Sequence, residues 1–176
     1  MFFDYPNQFK PSKNNPSMIE FPLPVAIAAV IHEHKILLLQ RIKGSYIGFW
    51  GLPGGKIKKH EHVSEAAVRE IQEETGLTPA FKQHLGFVSE HLVEDRKVFQ
   101  HFLLHLCHLE VSSPNFTGGK EGDLQWFDLG SLQNHQNHII PSDYLMIKNM
   151  ILARNGNYFN CVVEKQGEEH VLRKFE

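Results

Sequence analysis

The residues best suited to chemistry lie in one short run, Gly55 to Leu77, which reads GKIKKHEHVSEAAVREIQEETGL. On a helix of about 100° per residue, Glu70, Glu73 and Glu74 fall within an arc of roughly 100°. Three carboxylates on one side repel each other and gain nothing from packing. Glu73 and Glu74 also fall in the last turn, where the helix dipole disfavours an anion by about 0.3–1 kcal/mol each. A helix built for stability alone would carry lysine there. Something positive would have to offset the repulsion, and clustered hard oxygen ligands suit Mg²⁺ or Mn²⁺. Such an ion can act as a Lewis acid and acidify a ligated water. Taken alone, an acidic helix face is far more often a solvated surface, so the surrounding residues decide.

The elements that would position these acids are legible. Ala67, Val68 and Ile71 form an apolar stripe at helical spacing, Ser64 is placed to cap its start, and Gly76 sits where a helix ends in glycine. A helix is therefore predicted over Ser64–Thr75. Ahead of it, Val25–Ile31 and Ile36–Arg41 read as strands about the polar turn His32–Lys35, and Gly44–Gly55 as a loop ending in Leu52-Pro-Gly-Gly55. Beyond it come strand-like segments at Ala80–Leu92 and Lys97–Val111, a loop over Ser112–Gly122 and a short strand at Leu124–Asp128. A second helix over Pro141–Arg154 and a hairpin of Tyr158–Glu164 with His170–Phe175 close the chain. Strands, helix, strands, helix, hairpin is the order of an α/β or α+β domain with a mixed sheet. Residues 1–20, with three prolines and three asparagines, read as an irregular arm; 21–155 form the body and 156–176 a hairpin extension of it.

Composition narrows the function classes. The 176 residues argue for one compact domain, and 18 Lys+Arg against 20 Asp+Glu give a net charge of −2. That balance excludes a basic track for a long nucleic acid. The two cysteines, Cys107 and Cys161, cannot build a disulfide framework and fit a reducing compartment. No run approaches the ~20 apolar residues of a membrane helix; Phe21–Ile31 is broken by Pro22 and Pro24 and continues as a strand. A cytoplasmic location is expected. The 12 histidines are scattered. His101, His105 and His108 form a close trio, but on a strand His108 faces away from the other two, which is poor geometry for a metal.

The run around the three acids resembles the signature of the Nudix hydrolases: Gly55, Glu61, Arg69-Glu70, Ile71, Glu73-Glu74, Gly76 and Leu77, with every position matched. Seven such identities plus two aliphatics arise by chance on the order of once in 10⁸ chains of this length. The resemblance extends to Arg41, to Leu52-Pro-Gly-Gly55, and to Gly119-Lys-Glu-Gly122 with Trp126. It implies an α/β fold, a Nudix-type α/β/α sandwich around a central mixed sheet, to which this chain adds its C-terminal hairpin. It also implies divalent-metal hydrolysis of a diphosphate linkage in a nucleoside diphosphate joined to another moiety X.

Roles follow from that resemblance residue by residue. Glu73 and Glu74 match the principal metal ligands, with Glu70 a further ligand or their orienting neighbour and Gly54 a carbonyl contact. Gly55 permits the tight turn, while Arg69 and Glu61 brace the carboxylates and the loop. Glu121 matches the downstream glutamate that MutT-type enzymes use as a metal contact or base. Arg41 and Lys56 are candidates for the substrate's phosphates. The implied cofactor is Mg²⁺, with Mn²⁺ as the alternative.

Substrate choice lies outside the signature. ADP-ribose enzymes of the family often carry a proline about sixteen residues after it; this chain has Leu92-Val93-Glu94. The tyrosine frequent there in dinucleoside polyphosphate enzymes is missing too. Ile140-Pro-Ser-Asp143 resembles the segment where MutT-type enzymes read a base edge, so Asp143 could accept from exocyclic amino groups, or merely cap the next helix. Phe49 and Trp50 could stack on a base or belong to the core. The expectation is a nucleoside triphosphate pyrophosphohydrolase acting on a small nucleotide. The alternatives are a hydrolase of nucleoside diphosphate sugars, ADP-ribose included, or of dinucleoside polyphosphates, a non-catalytic nucleotide sensor and a remover of nucleic-acid caps. The arm and the hairpin could pair with a second copy as a homodimer or fold back on their own domain.

Overall fold

The run Val25-Ala-Ile-Ala-Ala-Val-Ile lies in the strand β1 (Leu23–His32), and its central residues Ala26–Val30 are buried because elements cover both faces. The computed structural model describes residues 21–118 and 121–176; the expected N-terminal arm lies outside them. Beside β1 come β2 (Lys35–Gln40), β3 (Trp50–Gly51) and β4 (Gly54–Lys56). Then follow the helix α1 (Val63–Thr75), the long strands β5 (Pro79–Glu94) and β6 (Lys97–Val111), and β7 (Leu124–Asp128). A 3₁₀ turn at Leu132–His138 leads into α2 (Pro141–Met146), and β8 (Tyr158–Gln166) with β9 (Glu169–Phe175) form the terminal hairpin.

Among the described residues, nine strands join one mixed sheet in the order β3-β2-β1-β6-β5-β8-β9, with β4 on β1 and β7 on β2. The β1–β6 and β5–β8 pairs are parallel, the others antiparallel. Both β2 and β4 use the same edge of β1, at residues 31–32 and 25–27 respectively, so the strand fans out and the sheet curls. The two faces are covered by different layers. Ala26 and Ala28 meet Ala66, Ala67 and Ile71 of α1, and their small side chains let the helix lie close. Ile27 and Ala29 on the opposite face pack with Ile36, Leu38, Met146 and Ile147. The result is the expected α/β/α sandwich.

Three local expectations change. Ser64 lies inside the first turn of α1 rather than capping it; His62 is the cap residue, and Glu65 accepts from its N–H at 2.7 Å. The second helix keeps α geometry only to Met146, then widens into a π-type turn over Ile147–Leu152, where the Ala153 N–H reaches back five residues to Lys148. The strand expected to end at Leu92 runs on to Glu94, so the β5–β6 connection is a two-residue turn, Asp95-Arg96, with positive φ at both, the geometry that matches strand twist.

Candidate active site

The loop between β3 and the start of α1 meets the C-terminal half of α1 through two glycines. Gly54 has φ +151° and pairs with Ile27 of β1; a Cβ there would run into the Ala26 carbonyl oxygen. At Gly55 a Cβ would lie 2.5 Å from the Glu70 carboxylate. Both glycines are therefore required by close approach, one by the sheet and one by the acid.

Arg69 organises the acids. Its Nε donates to Glu61 Oε1 at 2.5 Å and one Nη donates to Glu61 Oε2 at 2.9 Å, a two-pronged pair. The other Nη reaches Glu70 at 2.6 Å and Glu73 at 3.1 Å. The guanidinium also donates to the Lys56 carbonyl, tying α1 to the loop. Hydrogen bonding to Arg69 draws the Glu61 carboxyl down to about 2, and the same bonds hold Arg69 above its usual range. Glu61 also accepts from the Lys58 N–H, which ties it to the loop.

Glu74 stands apart. It is 4% exposed, and its Oε2 has no hydrogen-bond partner. Burial first, and then the negative charges of Glu70 and Glu121, push its carboxyl up to about 8, against the pull of the Gly54 backbone and Arg41. An orphaned buried carboxylate oxygen in the field of two further acids has the donor chemistry that a hard divalent cation takes, and such an ion would supply the missing charge. Gly54, Glu70, Glu73, Glu74 and Glu121 are the groups able to hold it.

The remaining candidates are dispersed. Glu73 is 57% exposed, between Arg69 and Lys58, and Glu121 is 45% exposed and bridges Lys43 at 2.8 Å. Among the described residues no three acidic, histidine or cysteine side chains converge on one metal-sized point. The acids are instead spread onto Arg69, Lys58 and Lys43. Arg41 donates to the Ser45 carbonyl, with its charge felt at Glu74 and Asp143; Lys56 is exposed at the rim. Trp50 packs edge-on against Phe127 in the core, whereas Phe49 lines a cavity of about 610 Å³ between α2 and β9.

Asp143 is buried, and its Oδ2 accepts from the Leu52 N–H at 2.7 Å, so it anchors the loop that carries Gly54 and Gly55. Burial chiefly pushes its carboxyl up to about 7. Next to it lies a group that sequence reasoning missed: Tyr46, Glu90, Ser142 and Cys161. Glu90 is fully enclosed on β5, and burial raises its carboxyl; Cys161 on β8 donates to it at 3.6 Å. One signal was available, because Glu90 interrupts the apolar alternation Val88, Leu92 that faces the core. Tyr46 carries no such mark.

Comparison with known proteins agrees with this geometry. The NUDIX domain family model matches residues 22–147. A protein of Methanocaldococcus jannaschii named ADP-ribose pyrophosphatase is 36% identical over 129 residues, covering 71% of this chain and 75% of that protein. A Bacillus subtilis protein named putative 8-oxo-dGTP diphosphatase is 36% identical over 107 residues, covering 61% and 67%. The crystal structure of the MutT mutator protein from Bacillus halodurans superposes with a TM-score of 0.67 at 21% identity, covering 88% of this chain and 96% of that one. With the signature acids on one helix, the glycine turn against them and a family match over most of its length, the chain belongs to the Nudix hydrolases.

Proposed function

We propose that the chain hydrolyses a nucleoside triphosphate to the monophosphate and pyrophosphate, using Mg²⁺ or Mn²⁺ held by Glu74, Glu70, Glu73, Glu121 and the Gly54 carbonyl. The observation that carries this reading is the buried Glu74 carboxylate, with one oxygen unpartnered in the field of Glu70 and Glu121. The bound ion would neutralise phosphate oxygens and acidify water. Arg69 keeps Glu70 and Glu73 in place, Lys56 and Arg41 take the polyphosphate, and Glu121 serves as a further metal contact or as the base. Water attacks phosphorus in line, forming one P–O bond as the bridging P–O bond breaks. Asp143 reads the base edge and Phe49 stacks beside it. The likeness to the Methanocaldococcus jannaschii protein favours a second reading, hydrolysis of ADP-ribose or another nucleoside diphosphate sugar at the same acids.

Two free, buried cysteines support a reducing, cytoplasmic setting, and among the described residues no helix is long and apolar enough to cross a membrane. The test is a panel of nucleoside triphosphates, ADP-ribose and nucleoside diphosphate sugars with Mg²⁺ or Mn²⁺, the products separated by ion exchange. Monophosphate with pyrophosphate is expected from a triphosphate; sugar phosphate with nucleoside monophosphate would select the second reading. Glu74→Gln should lower turnover about a hundredfold or more while the fold is kept. Cleavage of no phosphoanhydride, or turnover within about threefold after that substitution, would refute the assignment.

A further inference from the structure

The loop 41–49 between β2 and β3 is cinched at its base by paired backbone bonds, Arg41 N to the Phe49 oxygen at 2.9 Å and Gly48 N to the Arg41 oxygen at 2.8 Å. Its exposed flanks carry Ile42 and Ile47, yet Tyr46 between them turns inward and is only 6% exposed. Tyr46 sits at φ +62°, a left-handed conformation that costs a bulky residue energy. Its ring lies 4.0 Å from that of His170 on β9 and edge-on to Phe49. Its hydroxyl is buried in the field of Glu90, Cys161 and Asp143 with no hydrogen-bond partner.

The neighbours are short of partners as well. Ser142 Oγ lies beside Glu90 without a well-aligned bond, and both ring nitrogens of His170 are enclosed and unpaired. A position chosen for packing alone would hold phenylalanine, since each buried polar group left unpaired is destabilising. A planar ring lying against one aromatic neighbour, its polar edge turned into the field of several buried polar groups, is also how a nucleobase would sit. The cavity between α2 and β9, lined by Tyr144 and Lys148, shares Phe49 and His170 with the surroundings of the Tyr46 ring. The same loop reaches the proposed catalytic acids through the Lys43–Glu121 bridge.

We propose that Tyr46 is a removable stopper: in the free enzyme its ring fills the seat of the substrate's heterocycle, between His170 and the polar groups of Glu90, Ser142 and Asp143, and loop 41–49 swings out to admit the nucleotide. This rests on the nucleotide reading above and adds to it a seat partly built by the C-terminal hairpin. Because only the open form binds, apparent affinity is lowered by the fraction of protein that is open. Removing the ring therefore tightens binding. Removing only the hydroxyl relieves the closed form of its unpaired group and weakens binding.

Tyr46→Ala and Tyr46→Phe are compared with the parent by steady-state kinetics on the best nucleotide of the panel. Calorimetric titration with guanosine and with cytidine, which lack phosphate, is done without metal. Tyr46→Ala should lower KM and the nucleoside Kd about tenfold, while Tyr46→Phe should raise both by about threefold to tenfold, with the main effect in KM rather than kcat. A purely structural tyrosine would move both variants in the same direction, and that result, or no shift beyond twofold in either, overturns the proposal. If Tyr46→Ala fails to fold, Tyr46→Phe decides alone: an unchanged or lower KM and Kd refutes the stopper. Should the parent cleave no nucleotide, the hydrolase reading falls, and the nucleoside titrations still decide this one.

Discussion

Asp143 shows how one side chain can serve the loop and cost the fold. Its bond to the Leu52 N–H fixes the approach to Gly54 and Gly55, but burial and the charge of Glu90 push its carboxyl up to about 7. An unfolded aspartate titrates near 3.9. Between about pH 4 and pH 7 the folded form therefore holds a proton that the unfolded form has released. Stability from this group is complete below that window and is lost as pH rises through it. Asp143→Asn keeps an acceptor for Leu52 and removes the titration. Its stability relative to the parent, measured by urea unfolding, should rise between pH 5 and pH 8 by more than about 1.4 kcal/mol, the worth of one pKa unit. A constant difference across that range would show that the carboxyl is not buried as described.

At the scale of elements, the glycine turn and α1 form one unit in which adjacent glycines have different duties. Gly54 is held against the backbone of β1, so Gly54→Ala has to displace the sheet. Its thermal midpoint should fall by more than about 8 °C, or the protein should not accumulate in soluble form. Gly55 has no positive φ, and the atoms nearest to an added Cβ all belong to the Glu70 carboxylate. Gly55→Ala should fold close to the parent and lose turnover by about 10² as Glu70 is pushed off Arg69. Equal losses of stability in the two variants would mean that the Glu70 contact does not set the site. The absence of a basic residue in the last turn of α1 belongs to the same design, with Arg69 in the helix middle restraining acids that the dipole disfavours.

For the whole molecule, the terminal hairpin completes the core. Strand β8 pairs along Phe87–Val93 of β5, and Cys161 and Val163 are buried with Val88, Leu92 and Leu104. Phe159, Leu172 and Phe175 add to the same cluster from the two hairpin strands. At roughly 1.5–3 kcal/mol for each large buried side chain, this rivals the ~5–15 kcal/mol net stability of a domain. Ending the chain at Asn157 should therefore yield aggregated or unfolded protein, seen as loss of the monomer or dimer peak in size-exclusion chromatography and of a cooperative thermal transition. A soluble, cooperatively melting truncation would show that the hairpin is an accessory. The family model matches residues 22–147, and the two hairpin strands lie beyond that match.

Local pattern was enough to read the acids of α1, the helix beneath them and the glycine at its end, because all lie within a few turns of one another and the chemistry dictates their spacing. The buried strands were legible for a similar reason: apolar runs of that length have few other uses. Three features depended on distance in the chain. Asp143 meets Leu52 across 91 residues, Cys161 meets Glu90 across 71, and Tyr46 meets His170 from opposite ends of the domain. No periodicity links such pairs, and a loop tyrosine reads like any surface aromatic until the sheet folds around it. Residue types could thus suggest the metal-binding chemistry, while the folding of distant segments onto one another decided which polar groups were left buried without partners.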